Sequence, residues 1–118
     1  MVLGLDHISD ISSEAADQIL NTNVKGVINC TQAFLPLLRS RPEGSNIINV
    51  GSISGKDVYP GGGVYCASKF AVDALTRTLR YELANTSVRV TAVNPGMVET
   101  EFSLVRFFWR FRKGCQRL

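Results

Sequence analysis

Asn46-Ile47-Ile48-Asn49-Val50-Gly51-Ser52-Ile53-Ser54-Gly55 reads as a short strand that runs directly into a glycine-rich loop. Ile47, Ile48 and Val50 are β-branched, the composition of a strand over 46–50. The loop continues to Gly63 and holds five glycines. Beyond it Val72, Leu75, Leu79 and Leu83 recur at helical spacing, so a helix over 64–84 is expected to bury them. Thr86-Ser87 is a short link. Val88-Arg89-Val90-Thr91-Ala92-Val93 is a second strand, ended by Asn94-Pro95-Gly96. Strand, helix, strand is a βαβ unit, whose helical crossover allows parallel pairing and is expected to be right-handed. Parallel sheets carry helices on both faces. The expected class is therefore α/β, doubly wound about a parallel sheet.

Upstream, Ser12 or Ser13 can cap a helix start. Leu20, Val24, Val27, Ile28, Thr31, Leu35 and Leu38 then follow helical spacing, which predicts one long helix with a break near Pro36. Residues 1–11 read as a loop, and Arg41-Pro42-Glu43-Gly44-Ser45 as a turn. In open α/β sheets ligands bind beyond the carboxyl ends of the strands. Ser52 follows the first strand and Pro95-Gly96 the second, so both fall at that end.

With 118 residues and 45% hydrophobic content the chain suits one domain with a modest core. No apolar run is long enough to span a bilayer, and no secretory leader pattern is present. Cys30, Cys66 and Cys115 are odd in number and widely spaced, as in reduced thiols of a cytoplasmic protein. The net charge of +3 is uneven. Residues 1–103 hold eight basic and ten acidic residues, a net charge of −2, and the last fifteen hold five basic residues and no acid. The basic character thus belongs to the tail, and the domain carries no nucleic-acid signature. His7 stands alone, so no metal site is expected. Gly61-Gly62-Gly63 has the wrong pattern for a phosphate cradle and reads as loop flexibility.

The chemistry is concentrated in Tyr65-Cys66-Ala67-Ser68-Lys69. Positions i and i+4 share one helix face, which brings Tyr65 and Lys69 within reach of each other. An ammonium ion held beside a phenol favours the phenolate. Such a pair suits proton transfer to a carbonyl or from an alcohol. Ser52 precedes Tyr65 by thirteen residues. As a structural alternative, Ser52 is a turn residue with Ser54 as its rival, Asn23 a hydrated mid-helix side chain, and Thr100 a cap for the next turn.

The set of Asn23-Val24-Lys25-Gly26, Gly51-Ser52-Ile53-Ser54-Gly55, Tyr65-Cys66-Ala67-Ser68-Lys69 and Pro95-Gly96 with Thr100 resembles the short-chain dehydrogenase/reductase family over residues 1–107. The resemblance implies a partial Rossmann-like sheet and hydride transfer with NADP or NAD. It implies Tyr65 as the acid/base residue and Lys69 as its modulator and ribose ligand. Ser52 would bind the substrate oxygen, and Asn23 would hold a water leading from Lys69 to solvent. Pro95, Gly96, Val98 and Thr100 would contact the nicotinamide. The stretch from Pro95 to Phe107, with Gly4-Leu5-Asp6 and Tyr59-Pro60-Gly61-Gly62, is similar to the branch of NADP-dependent 3-hydroxy acid dehydrogenases. That similarity implies a small hydroxy acid or carbonyl substrate, with Arg106 a candidate grip for its carboxylate. It also implies association of like subunits through the two long helices, with no nucleic-acid or membrane partner.

The family's glycine-rich strand, turn and helix N-terminus, which hold the cofactor pyrophosphate, have no counterpart in these 118 residues. Hydride transfer by this chain alone is therefore expected to be very slow, since binding of remote phosphates helps position the reacting ring. A non-catalytic chain that keeps only its assembly surfaces is the alternative. Residues 108–118 leave the family pattern and read as a divergent or replaced terminus, in preference to a membrane or nucleic-acid surface.

Overall fold

The computed structural model describes residues 6–97. Helix α1, Ser13–Leu20, starts where Ser12 caps it, its side chain accepting from the Ala15 N–H at 3.2 Å. The backbone continues without a break through a π-helical turn, Asn21–Lys25, into α2, Gly26–Arg39. Ala15, Ile19 and Asn23, four residues apart, form its buried stripe. The break expected at Pro36 is absent, and the helix runs three residues past it. Proline there removes only the bond to the Gln32 carbonyl, and Gln32 is exposed, so water can replace the lost donor. Val24, Val27, Ile28, Thr31, Leu35 and Leu38 are half-buried as their spacing suggests, whereas Leu20 is exposed.

Strand β1, Ser45–Val50, pairs in parallel with β2, Val88–Val93, from Ser45 opposite Val88 to Val50 opposite Val93. The crossover between them is α3, Gly63–Glu82. The βαβ reading thus holds, with β1 one residue longer than expected. Side chains directly opposite in a parallel pair point to the same face. Ser45, Ile47, Asn49, Val88, Val90 and Ala92 are buried or half-buried beneath the helices. Asn46, Ile48, Val50, Arg89, Thr91 and Val93, on the other face, are all exposed. Among the described residues the helices cover one face only. On the outer edge of β2, Arg80 Nε donates to the Val90 carbonyl at 2.9 Å and so occupies an otherwise open ladder acceptor.

The core of the described residues is small: Ala15, Ile19, Cys66, Val72, Leu83 and Val88. Of the leucines expected beneath α3, Leu83 is buried but Leu75 and Leu79 are only half-buried. The deepest positions on the helix are instead Cys66, Ser68, Val72 and Thr76. The reason is polar pairing: Ser68 and Thr76 receive hydrogen bonds from Asn23 and Asn49, which makes their burial tolerable. Cys66 is buried and Cys30 exposed, and Cys115 lies outside the described residues.

The three glycines after Pro60 have steric work that the flexibility reading does not supply. Tyr59-Pro60-Gly61-Gly62 is a turn closed by Gly62 N–H to the Tyr59 carbonyl at 3.1 Å. Gly61, at φ +77°, occupies the position of a type II turn that excludes most side chains. A Cβ on Gly62 would strike the Tyr59 ring. The turn delivers the chain directly into α3.

Candidate active site

The Ser52 loop, the Pro95-Gly96 turn and the Lys69 ammonium lie at the carboxyl ends of β1 and β2. Gly51 N–H donates to the Val93 carbonyl at 2.7 Å, and Ile53 N–H to the Pro95 carbonyl at 3.1 Å. These two bonds lash the Ser52 loop to the Pro95-Gly96 turn, so the segments after the two strands lie side by side. Ser52 is half-buried in extended backbone at the N-cap of a one-turn 3-10 helix, Ile53–Gly55. Its Oγ accepts from the Ser54 N–H at 3.1 Å. That bond uses a lone pair and leaves the hydroxyl proton available as a donor, the polarity a carbonyl oxygen requires. Ser54, the rival candidate, is buried. Ser52 therefore acts as a cap and still offers its proton.

Tyr65 lies in the first turn of α3 and Lys69 one turn on. Lys69 Nζ stands 5.8 Å from the centroid of the Tyr65 ring, over its face. The ammonium also donates to the Val50 carbonyl at 3.0 Å, which anchors it to the last residue of β1. Burial pushes the Lys69 ammonium below the usual lysine value of 10.5. The pair is thus a half-buried phenol with a fixed, partly dehydrated cation across its ring.

Two contacts hold the Ser52 loop to α3. Lys56 Nζ meets Asp73 Oδ1 at 2.7 Å. Gly55 lies against the helix so closely that a Cβ would sit 2.7 Å from the Lys69 carbonyl oxygen and 3.1 Å from its carbon. Backbone cannot yield as a side chain does. Gly55→Ala should destabilise the chain by about 1–3 kcal/mol and loosen the Ser52 loop from α3. At Gly51 a Cβ would first meet Asn94 Oδ1, the free end of a side chain, so Gly51→Ala should cost less. Urea unfolding midpoints of the two variants check the order.

Asn23 lies in the π-helical turn and is buried. Turns of this kind recur at functional sites because they re-aim side chains and free backbone groups. Its Nδ2 donates to Ser68 Oγ at 3.0 Å, which ties this turn to α3. Pro95 and Gly96 are exposed beyond β2. Val98, Thr100 and Arg106 lie outside the described residues, as do the Phe102 to Phe107 stretch, the 108–118 tail and most of Gly4-Leu5-Asp6. Ser68, Gly55 and the Val50 carbonyl were not singled out in the sequence. Of these only Ser68 left a signal, its four-residue spacing from Val72 and Thr76.

Among the described residues no group of three or more His, Cys, Asp or Glu is placed to hold a metal. No helix there is long and apolar enough to cross a membrane.

The family model described as short chain dehydrogenase matches residues 2–107. An NADP-dependent 3-hydroxy acid dehydrogenase of Schizosaccharomyces pombe is 45% identical over 107 residues, 91% of this chain and 41% of the relative. Sulfoacetaldehyde reductase 2 of Chromohalobacter salexigens is 51% identical over 88 residues, 75% of this chain and 35% of the relative. The closed form of a serine dehydrogenase complexed with NADP+ superposes with a TM-score of 0.85 at 40% identity, covering 96% of this chain and 46% of that one. A short chain dehydrogenase/reductase from Burkholderia phymatum in complex with NAD gives 0.80 at 29% identity, covering 85% and 36%. The chain thus spans under half the length of these relatives.

Proposed function

This chain belongs to the short-chain dehydrogenase family, and on that premise we propose that it forms the acid/base part of an NADP-dependent oxidoreductase acting on a small hydroxy acid or its carbonyl form. The observation that carries the reading is the half-buried Tyr65 with Lys69 over its ring, the ammonium bonded to the last carbonyl of β1, two residues before Ser52. Tyr65 delivers its phenolic proton to the carbonyl oxygen during reduction and takes it back during oxidation. Ser52 donates its hydroxyl proton to the same oxygen and stabilises the alkoxide character that develops there. Lys69, over the face of the ring, is the proposed positive charge beside the phenol as its proton leaves. Asn23 holds the long helix against this turn and is the proposed station for a water leading from Lys69 to solvent.

When bound, NADP, with NAD as the alternative, would supply or accept the hydride. The residues present fit the nicotinamide-ribose end of such a cofactor. Lys69 offers ammonium donors to ribose hydroxyls, and Pro95, Gly96, Val98 and Thr100 are the proposed contacts for the ring. The pyrophosphate end has no glycine-rich cradle in these 118 residues, so this polypeptide by itself should bind the dinucleotide weakly and react slowly. A small anionic substrate is supported by the names of the relatives, which act on a 3-hydroxy acid, on sulfoacetaldehyde and on serine. Arg106 is the proposed partner for the anionic group. The test is loss of nicotinamide fluorescence on mixing the chain with NADPH and a small 3-oxo acid, compared with Tyr65→Phe.

A second reading, association of like subunits through the long helices, is favoured by one surface. Phe34 and Leu37 are three residues apart on α2 and 58% and 54% exposed, and exposed Cys30 continues the stripe. Phe34→Asp should weaken self-association by about ten-fold or more, the order expected for losing one buried aromatic. Sedimentation equilibrium measures it, and an unchanged molar mass would refute this reading.

A further inference from the structure

Two buried hydroxyls on α3 carry the same hydrogen-bond relay. Ser68 and Thr76 are eight residues apart on one helix face, each with 0% exposure. Asn23 Nδ2 donates to Ser68 Oγ at 3.0 Å, and Asn49 Nδ2 to Thr76 Oγ1 at 2.9 Å. An amide nitrogen can only donate, so each hydroxyl must accept there and send its own proton elsewhere. Ser68 sends it to the Tyr65 carbonyl at 2.7 Å, and Thr76 to the Val72 carbonyl at 2.7 Å. The Thr76 relay therefore ties β1 to the middle of the helix. The Ser68 relay ties the π-helical turn to Tyr65 itself.

We propose that Ser68 is a positioning residue for the Tyr65–Lys69 pair, fixing the height and rotation of the turn that carries both. The inference rests on the reading of Tyr65 as the acid/base residue. The first turn of α3 needs such a tie, because its N-cap, Gly62, makes no side-chain capping bond. In an α-helix the Tyr65 carbonyl also accepts the Lys69 N–H. The Ser68 hydroxyl and the Lys69 amide thus converge on one oxygen, whose two lone pairs accommodate both. Through that oxygen the buried Asn23, forty-five residues upstream, sets where Tyr65 presents its phenol.

The test uses the full 118-residue chain without cofactor or substrate. Ser68→Ala keeps a good helix former of similar size and removes only the relay. It should move the Tyr65 ring resonances and speed exchange of the Lys69 amide by roughly three- to ten-fold, the loss expected for one such bond. Thr76→Val removes equivalent chemistry eight residues away and should leave the Tyr65 ring resonances in place. Asn23→Ala should shift them in the same direction as Ser68→Ala, and the double variant no further. If Ser68→Ala does not fold, Asn23→Ala carries the same measurement. Unmoved Tyr65 signals in these variants, or equal movement in Thr76→Val, would overturn the positioning role. Unchanged turnover in Tyr65→Phe would overturn the acid/base reading instead, so the two failures are told apart.

Discussion

Tyr65→Phe is expected to lower the hydride-transfer rate by about 10²–10⁴-fold, the usual worth of a positioned acid/base group. The substitution removes one oxygen and leaves the ring. The ring is half-buried, and Lys69 faces it at 5.8 Å, a contact that phenylalanine can keep. Helix α3 loses no capping bond and the buried core loses no volume, so the loss of stability should not exceed that of one hydrogen bond, about 0.5–1.5 kcal/mol. Substrate also loses a hydrogen bond, but Ser52 still donates to the same oxygen. The fall should therefore be seen mainly in kcat, with a smaller change in KM. Steady-state rates with NADPH and a small 3-oxo acid, with melting curves recorded on the same samples, separate the two effects.

Ile19→Ala carries the largest expected effect on stability. Ile19 is 1% exposed and heads the fully buried side chains by volume. It sits on the stripe of α1 that leads to Asn23, with α1 packed against α3. Truncation to alanine leaves a cavity worth about 2–5 kcal/mol. Domains are typically stable by only about 5–15 kcal/mol, and here six apolar side chains form the buried core of the described residues. A loss of that size should bring the chain close to unfolding at room temperature. It should also release the π-helical turn first, since Asn23 lies one turn beyond Ile19. Urea titration gives the magnitude, and hydrogen exchange along residues 21–26 reports the local order.

The sequence revealed the parts of this fold in which apolar residues speak for themselves. Val88–Val93 was found to the residue because its β-branched run is bounded by Ser87 and by Asn94-Pro95. Helix α3 was visible for the same reason. Its buried face was misjudged, because apolarity ranked Leu75 and Leu79 above Ser68 and Thr76. A serine is buried safely only when a partner supplies the missing bond, and Asn23 is forty-five residues away in sequence. The π-helical turn was hidden too, since one extra residue per turn leaves hydrophobic spacing almost unchanged over so short a stretch. For the candidate site, Tyr65, Lys69 and Ser52 were legible as a pattern of residue types and distances. Their supports were not: the Val50 carbonyl that anchors Lys69 and the bare backbone of Gly55 carry no side-chain signature. Among the described residues the sheet face bearing Ile48 and Val50, each 62% exposed, is the one the helices do not cover.

The most direct measurement mixes NADPH and a small 3-oxo acid with an excess of the 118-residue chain and follows the loss of nicotinamide fluorescence, in parallel with Tyr65→Phe. A turnover well below ordinary enzyme rates of about 1–10³ s⁻¹, and abolished by the substitution, is the predicted result. A rate above the protein-free solution that Tyr65→Phe leaves unchanged would contradict the assignment of Tyr65, Lys69 and Ser52 as a proton-transfer site.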